Sequence, residues 1–210
     1  MKHSGKSRGG RPRSFDREKA LDIAMRLFWR HGYEGVSVGD LTQAIGVAPP
    51  SLYSAFGSKA ELYHEAIARY EAYYGTLDVA SLRAAGSLAA AVRSLLEEAV
   101  RAVTQPDRES GCMISSGMVT CHPDHAELAR DAASRRNAMR KRIASALASY
   151  GGADEIQRLA RHLTAVIQGI SIQVRDGETE SELREIVEDV VAGVAARRIA
   201  NSKEPSSTAQ

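Results

Sequence analysis

Cysteine is scarce in this 210-residue chain: Cys112 and Cys121 are the only two, which excludes a disulfide scaffold and fits a reducing compartment. Long apolar runs are missing as well. None approaches the roughly 18 to 20 residues a membrane span needs. Residues 1–13 are basic and Gly/Ser-rich with no apolar stretch behind them, unlike a secretion signal. No membrane partner is therefore expected, and the cytoplasm is the expected location. No segment sustains a two-residue alternation with β-branched enrichment, so no sheet is expected. A nucleophile elbow, a Gly-rich phosphate loop and a paired-carboxylate set are all absent, so neither an enzyme activity nor a cofactor is expected.

What is present is a chain with 43% hydrophobic residues, enough for a real core, and an uneven charge. Residues 1–60 hold 10 Lys/Arg against 5 Asp/Glu, whereas residues 61–210 hold 18 against 21. A basic front end suits a polyanion-binding unit, because each neutralised phosphate releases a counterion. Basic tails also serve solubility alone, so the charge needs support from motifs.

The periodicity is helical throughout. Ala20, Ile23, Ala24, Leu27 and Phe28 recur at three- and four-residue steps, which predicts a first helix over residues 16–31 ending at Gly32. Ser37 and Asp40 form a capping box that opens a short second helix, with Leu41 and Ile45 inward and Gly46 as its left-handed stop. Pro50 pushes Pro49 out of the α region, placing Pro49 at the cap and Pro50 at the first position of a third helix that runs to Phe56. Ser58 and Glu61 then cap a longer helix reaching about Tyr74. Further helices are expected over residues 87–104, 123–150 with a break near Ala132, 154–175 and 181–198. Residues 105–122 read as a loop or broken helix. The expected fold class is all-α: an N-terminal three-helix helix-turn-helix head plus a C-terminal helical bundle, about nine helices in all. Residues 1–13 are expected as a flexible basic arm, 14–60 as the DNA-binding head, 61–200 as the ligand-binding and dimerisation body, and 201–210 as a disordered tail.

A short helix, a tight turn and a second short helix let one helix brace the DNA backbone while the other enters the major groove. Leu41, Ile45, Val47, Leu52 and Phe56 supply the apolar positions such a unit needs, leaving Ser51, Tyr53 and Ser54 on the outer side of the third helix.

Over the stretches Gly32-Tyr33-Glu34-Gly35-Val36-Ser37-Val38 and Gly46-Val47-Ala48-Pro49-Pro50-Ser51-Leu52-Tyr53-Ser54-Ala55-Phe56-Gly57-Ser58-Lys59-Ala60-Glu61-Leu62-Tyr63, the sequence resembles the TetR/AcrR family of regulators. The likeness covers about residues 11–64; beyond it the helices match in number, length and spacing, and residues 173–177 look like the end of the penultimate helix in one branch of the family. The resemblance implies a homodimer with two DNA-binding heads on a palindromic double-stranded operator, and a body that binds a small-molecule inducer. By that likeness Tyr53 and Lys59 hold phosphates, Ser37 gives a backbone or hydroxyl contact, and Ser51 faces base edges, with Pro50 and Ser54 on the same face. Two departures stand out. Ala48 replaces the Ser or Thr often found before the third helix, and Ser54 and Ala55 stand where bulky His and Tyr are common, which thins the phosphate grip. The basic arm, with Lys6, Arg8, Arg11 and Arg13, would reach phosphates or the minor groove.

In the body, the stripes holding Leu163, Ile167 and Ile170, and Leu183, Val187, Val190 and Val194, are expected to pack inward and also present a dimer interface. Met113, Met118 and Met139 are candidates for an adaptable ligand cavity, with core packing as the alternative. His162 is a candidate ligand donor, with a backbone carbonyl as its other partner. Cys112, Cys121, His122 and His125 do not have a recognised metal-ligand spacing, so no metal is expected. Cys112 beside Arg108 is also a candidate thiol or electrophile sensor on the same DNA-binding scaffold, against buried filler as the plain role. A third reading is a DNA-architecture protein that senses nothing, which a body without a cavity would support.

Overall fold

The computed structural model describes residues 16–75, 77–79 and 81–201, with side chains described through residue 196. Arg11 and Arg13, with the rest of the expected basic arm, lie outside the described residues, as do residues 202–210. Nine α-helices and no strand are found among the described residues: α1 Arg17–His31, α2 Val38–Ile45, α3 Pro49–Phe56, α4 Lys59–Tyr73, α5 Leu88–Thr104, α6 Met113–Ser116, α7 Ala126–Leu147, α8 Ala153–Asp176 and α9 Glu180–Asn201. Short 3-10 turns occupy Ser81–Ala84, Pro123–His125 and Ala148–Tyr150.

Side-chain caps start most of these helices. Asp16 accepts from the Lys19 N–H, Ser58 from Glu61 and Ser87 from Ala90, each at 3.1 Å. Ser37 and Asp40 form the full reciprocal box before α2. Each such cap contributes about 1 kcal/mol by satisfying a donor the helix cannot. Gly46, at φ 80° and ψ 38°, closes α2 in the left-handed conformation that glycine adopts without a Cβ penalty. The third helix begins one residue earlier than expected: Ala48 is extended and caps it, and Pro49 and Pro50 fill its first two positions. Neither proline gives up a bond there, since first-turn N–H groups have no intrahelical acceptor.

Two apolar clusters organise the molecule. The first joins α1, α2, α3 and α4 through Phe28, Trp29, Leu41, Leu52, Leu62 and Tyr63, and continues into Met113, Ile114 and Met118 around α6 and into Leu128 and Ala132 of α7. Packing therefore runs past residue 60 without a seam. Phe28 and Tyr33 both meet the Tyr63 ring edge-on, with centroids 5.1 Å apart, geometry that adds to the area these rings bury. Outside the cluster, Arg69 of α4 pairs with Glu18 and Asp22 of α1, and Arg17 with Glu65. The second cluster sets α5 against α7, α8 and α9 through Leu95, Leu96, Val100, Ile143, Leu163 and Leu183.

α7 has no break at Ala132. That residue is buried in the first cluster while Met139 and Ile143, farther along the same helix, belong to the second. The stripes expected at the dimer interface do pack inward. Leu163, Ile167, Ile170, Leu183, Val187 and Val194 are all buried in the protomer's own second cluster, and Val190 is half-buried against it. Both stripes pack toward α5.

Candidate nucleic-acid interface

α3 shows two distinct faces. Leu52 and Phe56 are buried under the head while Pro50, Ser51, Tyr53 and Ser54 are exposed, Tyr53 to 47% although it is a large aromatic. An exposed tyrosine is suited to a phosphate, and small Ser51 and Ser54 would let the helix approach base edges closely. The Gly46 N–H donates to Thr42 O at 2.9 Å and the Val47 N–H to the same oxygen at 3.1 Å, which sets the turn between α2 and α3.

Ser37 is exposed at the start of α2, but its own donors are committed. Its N–H donates to the Asp40 carboxylate at 2.8 Å and its hydroxyl at 2.7 Å. Those same bonds hold the Asp40 carboxyl below its ordinary value. Lys59 is half-buried rather than fully extended, with Nζ 4.0 Å from the centroid of the Tyr33 ring. Burial pulls its ammonium below its ordinary value, against the attraction of Glu34 and Asp40. This places the cation between the starts of α2 and α4, fixed by an aromatic face, a position from which a phosphate at the α2 N-terminus would gain its charge.

The far end of α4 reaches a different feature. Tyr70 and Tyr74, with Gly75, Leu77, Ala99, Ala102, Val103, Cys112, Met139 and Ile167, line an almost wholly apolar cavity of about 30 Å³. Burial pushes the Tyr70 hydroxyl well above its ordinary value, with the Cys112 thiol beside it. Of the ligand candidates from sequence, Cys112 and Met139 line this cavity. Met113 and Met118 pack instead in the first cluster, and His162 is exposed on α8 outside the lining. The tyrosine pair was missed. Its four-residue spacing on α4 was the available signal, hidden because that helix is apolar on a face that both the head and the cavity use.

A strap joins head and body. The Trp29 indole N–H donates to Gly111 O at 2.9 Å, Arg30 pairs with Glu109 at 2.6 Å, and Arg136 of α7 donates to Ile114 O and Gly117 O at 3.1 and 2.8 Å. Residues 105–118 thereby link α1 to the cavity wall. Cys121 is half-buried, His122 is exposed beside Asp124, and His125 stacks edge-on against Tyr33. Among the described residues no group of His, Cys, Asp or Glu is arranged to hold a metal ion, and no helix is long and apolar enough to cross a membrane.

Comparison with known proteins agrees with this geometry. The family model for bacterial regulatory proteins of the tetR family matches residues 20–66. The chain is 34% identical over 188 residues to the HTH-type transcriptional repressor ComR of Escherichia coli (strain K12), spanning 86% of this chain and 89% of that protein. It is 30% identical over 174 residues to the HTH-type transcriptional repressor BdcR of the same strain, spanning 83% and 86% of the two chains. Among solved structures it is similar to a cysteine mutant of the TetR family regulator CifR complexed with 26-base-pair operator DNA. That match has a TM-score of 0.78 and 32% identity over 87% of this chain and 98% of that one. With a helix-turn-helix head on a helical body and relatives aligned over most of its length, the chain belongs to the tetR family of bacterial regulatory proteins and is a DNA-binding transcriptional regulator, not an enzyme.

Proposed function

We propose that the protein is a homodimeric repressor that holds a palindromic operator with two α3 helices and releases it when a small apolar inducer enters the body. The observation that carries this reading is the reach of α4, which places Lys59 beside the start of α2 and Tyr70 and Tyr74 on the cavity wall. The cavity of about 30 Å³ is far smaller than the roughly 300 Å³ that small-molecule sites usually offer. An inducer must therefore push its walls outward, and one wall is the helix that supports α3. ComR and BdcR are named repressors and the CifR mutant was solved on operator DNA, which supports the same direction of control.

Dimerisation is assigned to the outer faces of α8 and α9. Gly169 and Gly193 are exposed in mid-helix, and a Cβ at either would meet nothing within 4 Å of its own protomer. A glycine there costs the helix about 1 kcal/mol relative to alanine, a cost that close approach of a partner helix would offset. Exposed Ile172 lies one turn beyond Gly169.

The test is anisotropy of a labelled duplex from the protein's own promoter, followed by a release screen of small apolar compounds. Ala102→Leu, which fills the cavity, should leave operator binding intact and abolish release. Release of that variant by the same compound would remove the cavity from the mechanism.

A second reading has one observation in its favour: Cys112 lies on the cavity wall, its Sγ accepting from the Ser115 N–H at 3.5 Å. In this reading the inducer is an electrophile that alkylates the Cys112 sulfur, the thiol giving up its proton as the S–C bond forms. Operator release by N-ethylmaleimide that is lost in Cys112→Ser supports it, and equal release from both proteins refutes it.

A further inference from the structure

α7 and α8 enclose a second feature, a groove of about 330 Å³ with an unusual lining: Arg136 and Arg140 from α7, Arg161 from α8, and the polar side chains of Asn137, Thr164 and Gln168. No carboxylate lines it. On α7 itself Arg135 is paired with Asp131 and Glu71, whereas the three arginines in the groove have no ion pair among the described residues. Like charges converging without a counter-charge repel, and a bound anion is what relieves this. Lys141 and Arg142, exposed on α7 beyond the groove, add to the same field.

We propose that this groove binds a small polyanion carrying two linked phosphates. Guanidinium forks match phosphate oxygens two at a time, and three of them balance the charge of a diphosphate far better than that of a single phosphate. The groove is large enough for such a group with a modest organic body, and the Asn137 and Gln168 amides offer neutral contacts to that body. Arg136 is held in place before any ligand arrives, because two of its donors are bound to Ile114 O and Gly117 O. A ligand on its remaining donors would touch the strap that carries Cys112 and packs against α1 and α4.

Calorimetric titration of the full-length protein with inorganic pyrophosphate, at physiological ionic strength, tests the site. Saturable binding of one ligand per chain is expected. It should weaken at least ~10-fold in Arg140→Ala/Arg161→Ala, which loses two of the three charge-assisted contacts, while that variant keeps its helicity and operator binding. Inorganic phosphate and citrate should bind more weakly than pyrophosphate. The proposal is overturned by absence of saturable heat, by undiminished binding to the double variant, or by citrate binding as well as pyrophosphate. A double variant that elutes as a monomer also overturns it, since the arginines would then serve the subunit interface.

Discussion

The guanidinium of Arg175, in the last turn of α8, donates to the carbonyl oxygen of Trp29 at 2.5 Å and to that of Arg30 at 3.2 Å. These are end carbonyls of α1, which lack partners within their own helix, and a cation there also favours the helix dipole. Arg175→Ala should lower stability by roughly 1 to 3 kcal/mol, the cost of stranding a buried acceptor. Arg175→Lys should restore only part of this, because an ammonium lacks the fork that spans both oxygens. Urea unfolding of the two variants measures both effects; a wild-type midpoint for the alanine variant would show that the contact holds nothing.

Gly111 sits beside that junction at φ +80°, where a Cβ would lie 2.7 Å from Arg175 Nε and 2.7 Å from the backbone oxygen of Ser171. Gly111→Ala therefore meets both a disfavoured conformation and a clash with the Ser171 backbone oxygen, which cannot swing away. A loss of about 2 kcal/mol or more is expected, read as a lower thermal midpoint.

Gly169 gives the opposite test. Since a side chain there meets nothing in its own protomer, Gly169→Arg should keep its helical circular dichroism yet shift to monomer in sedimentation. An intact dimer would place the interface elsewhere.

Exposure separates DNA contacts from fold contacts on the head. Tyr53→Ala should weaken operator binding about 10-fold with little change in thermal midpoint, because the ring is 47% exposed. Lys59→Ala should lower the salt slope of binding by about one and also cost roughly 0.5 to 1 kcal/mol of stability through loss of its contact with Tyr33. An unchanged salt slope would remove Lys59 from the phosphate grip.

Tyr63 carries a pH signature. Burial pushes its hydroxyl from the ordinary 10.0 up to about 12, so the folded state favours the neutral form. The stability this gives is fully present below pH 10 and is lost as pH rises toward 12. Tyr63→Phe should flatten that part of the pH–stability curve, followed by denaturant midpoints across the window.

The head was legible because its signals are local. Ser37, Gly46 and Ser58 each act within a few residues, so capping chemistry and short apolar spacing located the turn and turned Tyr53 outward. The body was legible only in outline. Leu163 and Leu183 carried the correct inward pattern, but periodicity does not say whether the covering helix belongs to the same chain. Here α5 takes both stripes. The cavity depends on Tyr74, Val103 and Ile167 meeting from three distant segments, and the Arg175 contact spans 146 residues. No local pattern encodes such meetings. Pro49 lies one position farther into α3 than the pre-proline restriction predicts, since Ala48 takes the extended cap and both prolines fit the first turn.

The unbroken course of α7 makes it a rigid lever. From Leu128 under the head to Met139 at the cavity is eleven residues, or ~16 Å of helix at 1.5 Å each. Pivoting that rod by about 5° displaces its far end by ~1.5 Å over such a length, a shift on the scale by which a side chain gains or loses a hydrogen bond. Mechanical leverage would thus let a small displacement at the cavity wall shift the head that rests on the other end of the rod.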